Sequence, residues 1–170
     1  YNPSGNYRPG QKVKQTLFQM RERIAAVIGA EPEEIFFTSG GTESDNWIIR
    51  SFGNEKPKSH IITTGLEHHA IGHSCRQLEQ QGGSVTYLPV DDRGRVHISE
   101  LQKAIRPDTV LISIMYANNE IGTIQPVSEI GETAQAHGIP FHTDAVQAYG
   151  QIPIDITKMN VDLLSASAHK

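Results

Sequence analysis

The sequence predicts an α/β fold of three layers: a mostly parallel central sheet with helices on both faces. Three observations predict it. Strand-like and helix-like segments alternate along the whole chain, the pattern that builds parallel sheets. The run Thr109-Val110-Leu111-Ile112-Ser113-Ile114-Met115 is almost continuously apolar, as a strand buried on both faces requires. The 170 residues are enough for one domain with a real core.

Taken in order, Tyr1 to Gly10 is rich in Asn, Pro, Gly and Ser and reads as loop. Val13, Leu17, Met20, Ile24 and Val27 then recur at steps of 4, 3, 4 and 3, one apolar helical stripe that stops near Gly29. Glu34 to Thr38 reads as a short strand, and Ser39 to Ser44 as a turn opening a helix through Trp47, Ile48 and Ile49. His60 to Thr64 is a strand, followed by a helix from about His69 to Gln81 with Gly82-Gly83 as its stop. Ser84 to Leu88 is the next strand. Ser99, with Gln102 three residues on, predicts a capping box for a helix to about Arg106. After the 109–115 strand, Val127, Ile130, Ala134 and His137 mark a helix closed by Gly138. Ile139 to Thr143 is a strand with Pro140 near its start. Val161-Asp162-Leu163-Leu164 is the last strand. No internal repeat, low-complexity tract or linker interrupts the series.

The formal net charge is −4 without a basic or acidic block, which argues against nucleic acid or an anionic membrane as partner. No stretch approaches the ~20 apolar residues of a membrane span. The single cysteine, Cys75, cannot form an internal disulfide, which fits a reducing compartment. The expected location is the cytoplasm, or an organellar matrix in a eukaryote. The chain opens at Tyr1-Asn2-Pro3 without Met and closes directly on a motif, so a piece of a longer protein, inactive or poorly soluble alone, is the expectation.

Ligands of open α/β sheets collect at the carboxyl ends of the strands, and five successive predicted ends carry polar residues. They are Ser39-Gly40-Gly41-Thr42, Glu67-His68-His69, Tyr116-Ala117-Asn118-Asn119-Glu120, Asp144-Ala145-Val146-Gln147 and Ser165-Ala166-Ser167-Ala168-His169-Lys170. The first is either a tight turn with an N-cap at Thr42 or a phosphate seat at a helix N-terminus. Asp144 either caps a turn or pairs with a protonated ring nitrogen, since a buried carboxylate needs a partner. Gln147 reaches the same neighbourhood. Asn119 is either a turn residue or a ring contact. His68 can stack on an aromatic ring and move protons near neutral pH. Lys170 is either a solvated charge or a nucleophilic amine. Cys75 falls on the stripe of Ile71 and Leu78 and reads as a small core hydrophobe. His69 and His73, four apart on a helix, have a spacing that zinc sites use. No third ligand follows at motif spacing, so no metal is expected. Together the residues describe a seat for pyridoxal 5'-phosphate (PLP): a phosphate cup, an acid for the pyridine nitrogen, a donor for the ring hydroxyl, a stacking group and a Schiff-base lysine.

Five runs carry a family resemblance: Phe37 to Ser44, Glu67-His68-His69-Ala70, Asn118-Asn119-Glu120-Ile121-Gly122, His142 to Gln147, and Ser165 to Lys170. In this order, and covering nearly the whole chain, they resemble the cysteine desulfurases, PLP enzymes of the class V aminotransferase group with fold type I. The resemblance implies that residues 1–170 are the PLP-binding large domain, truncated at both ends and without the smaller C-terminal domain. It implies that Lys170 forms the Schiff base and that Gly41, Thr42, Ser167 and His169 hold the phosphate. Asp144 then faces the pyridine nitrogen, Gln147 and Asn119 lie near the ring hydroxyl, and His68 stacks on the ring as an acid/base. Lys170 and His68 are the implied catalytic residues. The implied reaction takes L-cysteine to L-alanine and passes sulfur through an enzyme persulfide to iron–sulfur cluster or other acceptor pathways. A homodimer partner and a sulfur-acceptor or scaffold protein are the implied partners. The family's nucleophilic cysteine follows the lysine and its carboxylate-binding arginine belongs to the small domain, so neither is expected in this sequence. Ala168 stands where many members have Gly. Three alternatives stay open: a selenocysteine lyase, a metal-dependent hydrolase using His69, His73, His142 and Asp144, and a non-catalytic fragment.

Overall fold

The computed structural model describes residues 1–53 and 58–170. Its helices are α1 (Arg8–Ile28), α2 (Gly41–Gly53), α3 (His69–Gln80), α4 (Ile98–Ala104) and α5 (Val127–Ala136). Its strands are β1 (His60–Thr64), β2 (Ser84–Leu88), β3 (Thr109–Ser113), β4 (Phe141–Asp144) and β5 (Leu163–Ser165). They form one sheet in the order β2-β1-β3-β4-β5, with every neighbouring pair parallel. The α/β expectation holds.

The layers follow from the alternation of side chains along each strand. Ile61 and Leu111 point to one face and pack with Ile49 of α2 and Ile71, Cys75 and Leu78 of α3. Ile62, Ile112 and Phe141 point to the other and pack with Leu101 of α4 and Val127, Ile130 and Ala134 of α5. The chain travels outward from β1 to β2, returns past β1 to β3, and continues to β4. Reversing the direction of travel moves the connecting helix to the opposite face when every crossover keeps one hand. That is why α3 lies opposite α4 and α5. The reversal falls between β1 and β3, where ligands of such sheets gather.

Three elements differ from expectation. α1 begins at Arg8, inside the stretch read as loop, because Pro9 in its first turn presets the helical φ. It ends as expected at Gly29, whose φ of 75° gives the left-handed cap. The strand expected at Glu34–Thr38 does not form. Residues 32–34 make a 3-10 turn, and the next residues are held sideways by helices instead of by a ladder. The Ile35 carbonyl accepts from Arg21 Nε at 2.9 Å, the Arg21 guanidinium lies 5.2 Å from the Phe37 ring centre, and Phe36 meets Trp47 edge-on at 5.8 Å. Finally, Ser99 does not cap α4. The helix starts earlier, from an N-cap at His97, because the His97 carbonyl accepts from Glu100 and Leu101.

Candidate active site

Four of the strand ends read from the sequence lie side by side, those of β1, β3, β4 and β5. Backbone bonds lock the last three together: the Tyr116 N–H donates to the Asp144 carbonyl at 2.9 Å, and the Ala145 N–H to the Ser165 carbonyl at 2.8 Å. Asp144 closes β4 with 5% of its surface exposed. Its Oδ1 accepts from the Val146 N–H at 2.9 Å. Burial raises its pKa, against the Val146 bond and the nearby His68, which both lower it. Gln147 follows, half-buried, in the turn after Asp144.

α2 begins against this turn. A Cβ on Gly41 would sit 2.8 Å from Val146 Cγ2, so glycine lets the helix start lie against the loop after Asp144 without moving that side chain. Helix geometry leaves the first N–H groups of α2 without intrahelical partners. The turn before them is closed by Thr38, whose Oγ1 donates to the Gly40 carbonyl at 3.1 Å and meets Ser44 Oγ at 2.9 Å. The Glu43 carboxylate accepts from the Ser39 N–H, which lowers its pKa. Thr42 is therefore not the cap; it lies exposed in the first helical turn.

At the end of β1, His68 caps α3: its Nδ1 accepts from the Ala70 N–H at 3.3 Å. The cap leaves Nε2 as the free ring nitrogen. At the end of β3 two adjacent asparagines divide the work. Asn118 is buried and ties the two loops together, donating from Nδ2 to the Leu66 carbonyl at 2.9 Å and accepting from Glu120 and Ile121 at Oδ1. Asn119 is exposed. After β5, Ser167 Oγ meets His169 Nδ1 at 2.8 Å, and the Lys170 N–H reaches the Ser167 carbonyl at 3.4 Å. His169 and Lys170 are exposed. The structure thus gathers Gly41, the Asp144–Gln147 turn and Ser165, from which the 166–170 segment leaves, with His68 close enough to act on Asp144. Asn119 is exposed on the loop after β3.

One residue, Asp45, was missing from the sequence reading, and two that it named, Glu67 and His142, prove to be buried links between strands. Glu67 Oε1 accepts from Thr64 Oγ1 at 2.9 Å and from the Met115 N–H at 3.0 Å, pinning the turn before His68 to the end of β3. Burial pushes Glu67 up to about 8. Beneath Asp144, His142 bonds Ser113 Oγ through Nδ1 at 2.9 Å and Ser165 Oγ through Nε2 at 3.0 Å. Burial pushes His142 down to about 3. Asp45 of α2 lies 3.8 Å from His142 Nε2; burial first, and Asp144 second, push it up to about 7. The signal for Asp45 was available: it stands four residues before Ile49 on the buried stripe of α2. His142 is engaged by two serines, away from the surface histidines His69 and His73, whose rings stack at 6.1 Å.

Three carboxyls, Asp45, Glu67 and Asp144, therefore crowd one end of the sheet. Asp45 Oδ1 and Glu67 Oε2 are buried without a hydrogen-bond partner. Among the described residues no lysine or arginine makes an ion pair with any of the three. A pocket of this kind favours a positive group on its ligand. A protonated pyridine ring, with its phosphate at the α2 start, fits it.

The chain matches the aminotransferase class-V family over residues 2–170, and it belongs to that family. It is 57% identical to the cysteine desulfurase IscS of Methanosarcina thermophila over 171 residues, covering 99% of this chain and 42% of that protein. To the IscS of Clostridium botulinum strain Hall it is 53% identical, covering 43% of the relative. Among solved structures, an SspA in complex with cysteine superposes with a TM-score of 0.94 at 42% identity, and a NifS-like protein with 0.95 at 43%. Both cover 99% of this chain and under half of the other, 49% and 47%. The chain thus spans less than half the length of these relatives.

Proposed function

We propose that this chain is part of the PLP-binding large domain of a cysteine desulfurase. The complete protein converts L-cysteine and an enzyme thiol into L-alanine and an enzyme persulfide, for delivery to iron–sulfur cluster or other sulfur acceptors. The observation that carries the reading is the seat itself: Asp144 at the buried end of β4, with the Gly41 start of α2 against the following turn. When bound, PLP supplies an electron sink that lowers the barrier to breaking bonds at the substrate α-carbon.

The chain's own residues have separate tasks. Gly41 and Thr42, with Ser167 and His169, hold the phosphate, the helix start contributing N–H groups and its positive dipole end. Asp144 keeps the ring nitrogen protonated. Gln147 and Asn119 address the ring hydroxyl. His68, fixed by its Nδ1 cap, presents Nε2 for stacking and proton transfer. Lys170 is the amine that anchors the cofactor and gives way to substrate. Cys75 takes no part: it is fully buried, and burial pushes its thiol up to about 12, which removes the thiolate that sulfur transfer needs. The accepting thiol belongs to a segment outside these residues. A homodimer, a sulfur-acceptor partner and a cytoplasmic or organellar-matrix location complete the proposal. No helix among the described residues is long and apolar enough to cross a membrane.

The test is product analysis of the complete protein with L-cysteine and with L-selenocysteine. Stoichiometric alanine from cysteine with a persulfide on the protein is the expected result. Turnover of selenocysteine alone would make it a selenocysteine lyase, and no alanine from either would refute the reading.

A further inference from the structure

Asp45 has no task in the function proposed above, yet it is 1% exposed and faces the sheet from α2. Its Oδ1, 3.8 Å from His142 Nε2, has no hydrogen-bond partner among the described residues. His142 precedes Asp144 by two residues on β4, so both side chains share the α2 face. Ser165, which bonds His142 Nε2, is the register partner of Asp144 on β5. Asp45 thus lies against a hydrogen-bonded chain, Ser113–His142–Ser165, beneath the ring-nitrogen acid.

Ser165 lowers the Asp45 pKa against the larger effect of burial. Ser113 Oγ and Ser165 Oγ engage the two ring nitrogens of His142. A neutral histidine has one N–H and one acceptor nitrogen, and the chain uses both.

We propose that Asp45 is a positioning residue for Asp144: it anchors the Ser113–His142–Ser165 chain, and its charge sets how firmly Asp144 holds a cationic ring. The proposal rests on the PLP reading. The titratable groups facing Asp45 are His142 and Asp144 on β4 and Glu67 in the turn after β1; β3 and β5 contribute the neutral Ser113 and Ser165. With Asp45 near 7, its carboxyl passes from neutral to charged across the neutral range. Charged, it adds a second negative group behind Asp144 and holds a cation there more strongly. Glu67 acts in the same sense at higher pH.

The test compares holoenzyme with its Asp45→Asn variant by the visible absorption of the bound cofactor as a function of pH. Circular dichroism controls for folding. The band's transition is expected about one pH unit lower in the variant, the usual size for loss of a nearby buried charge. If Asp45→Asn does not fold, Ser165→Ala keeps the carboxyl but removes the hydroxyl that lowers its pKa. It leaves Asp45 neutral to higher pH and must move the band in the same direction by less. An unmoved transition in the folded variant overturns the proposal alone. A wild-type protein without a visible band overturns the PLP reading and the proposal with it.

Discussion

Toward α4 and α5 the sheet presents Ile62, Ile112, Ile114 and Phe141; toward α2 and α3 it presents Ile61 and Leu111 and, at the carboxyl end of the strands, Thr63, Ser113, His142, Asp144 and Ser165. All eleven are at most 5% exposed, so depth does not distinguish the two faces; the polar carboxyl end of the second does. The apolar face needs only shape, and it joins the larger cluster, which reaches Ile28 of α1 and Val161 before β5. The α2 face needs partners for every polar atom. It has them for His142, Ser113 and Ser165 but not for Asp45 Oδ1 or Thr63 Oγ1. One face stabilises the fold; the other gives up some stability to hold charge beside the proposed ligand site.

Substitutions that respect or violate this division test it. Phe141→Ala, on the apolar face, has the largest expected effect. It removes a fully buried ring and destabilises the apoprotein by about 3–5 kcal/mol. Urea denaturation measures this, and a loss under about 1 kcal/mol would mean that face is not the structural core.

The next effect is in pH and comes chiefly from the α2 face. Asp45 and Glu67 have native pKa values raised to about 7 and about 8, above the ~3.9 and ~4.3 of an unfolded chain. The native state therefore binds more protons than the unfolded state over that window, and these groups lose stability as pH rises through it. His142 and His60 are lowered to about 3 and about 4, so they lose stability as pH falls below ~6.5. The contributions oppose each other below ~6.5 and only the carboxyls remain above it. Apoprotein stability is thus expected to fall between pH ~6.5 and ~8, on the order of 1 kcal/mol. Melting temperatures across that range check it, and Glu67→Gln should flatten the fall.

Smaller still in stability, and the sharpest in separating fold from site, is Gly41→Ala. The added Cβ meets only the end of the Val146 side chain, which can shift at a cost of ~1 kcal/mol or less. The displaced helix start should weaken PLP binding by about tenfold or more. Equal small losses in both measurements would mean that the α2 start does not hold the phosphate.

Much of this was legible in the sequence, because strand ends and helix stripes are local patterns. The 109–115 run supplies β3, which ends two residues early at Ser113, and the His69 helix stands where periodicity put it, with Gly82 just past its end. The strand expected at 34–38 failed because a ladder depends on a distant neighbour, which local composition does not report; Phe36 and Phe37 packed on Trp47 and Arg21 instead. Asp45 escaped notice, and the burial of Glu67 was not foreseen, for a related reason. A carboxyl in a helix or turn reads as solvated until the sheet that buries it is placed. Asn118 and Asn119 show the limit of motif reading: two identical neighbours, one holding loops together and one facing solvent.

The central claim is that this sheet end seats PLP on Lys170. Borohydride reduction of the complete holoenzyme, followed by peptide mass mapping, tests it most directly. The account predicts loss of the visible band and a reduced pyridoxyl group on the peptide carrying Lys170. A cofactor fixed to another lysine, or none fixed at all, would contradict it.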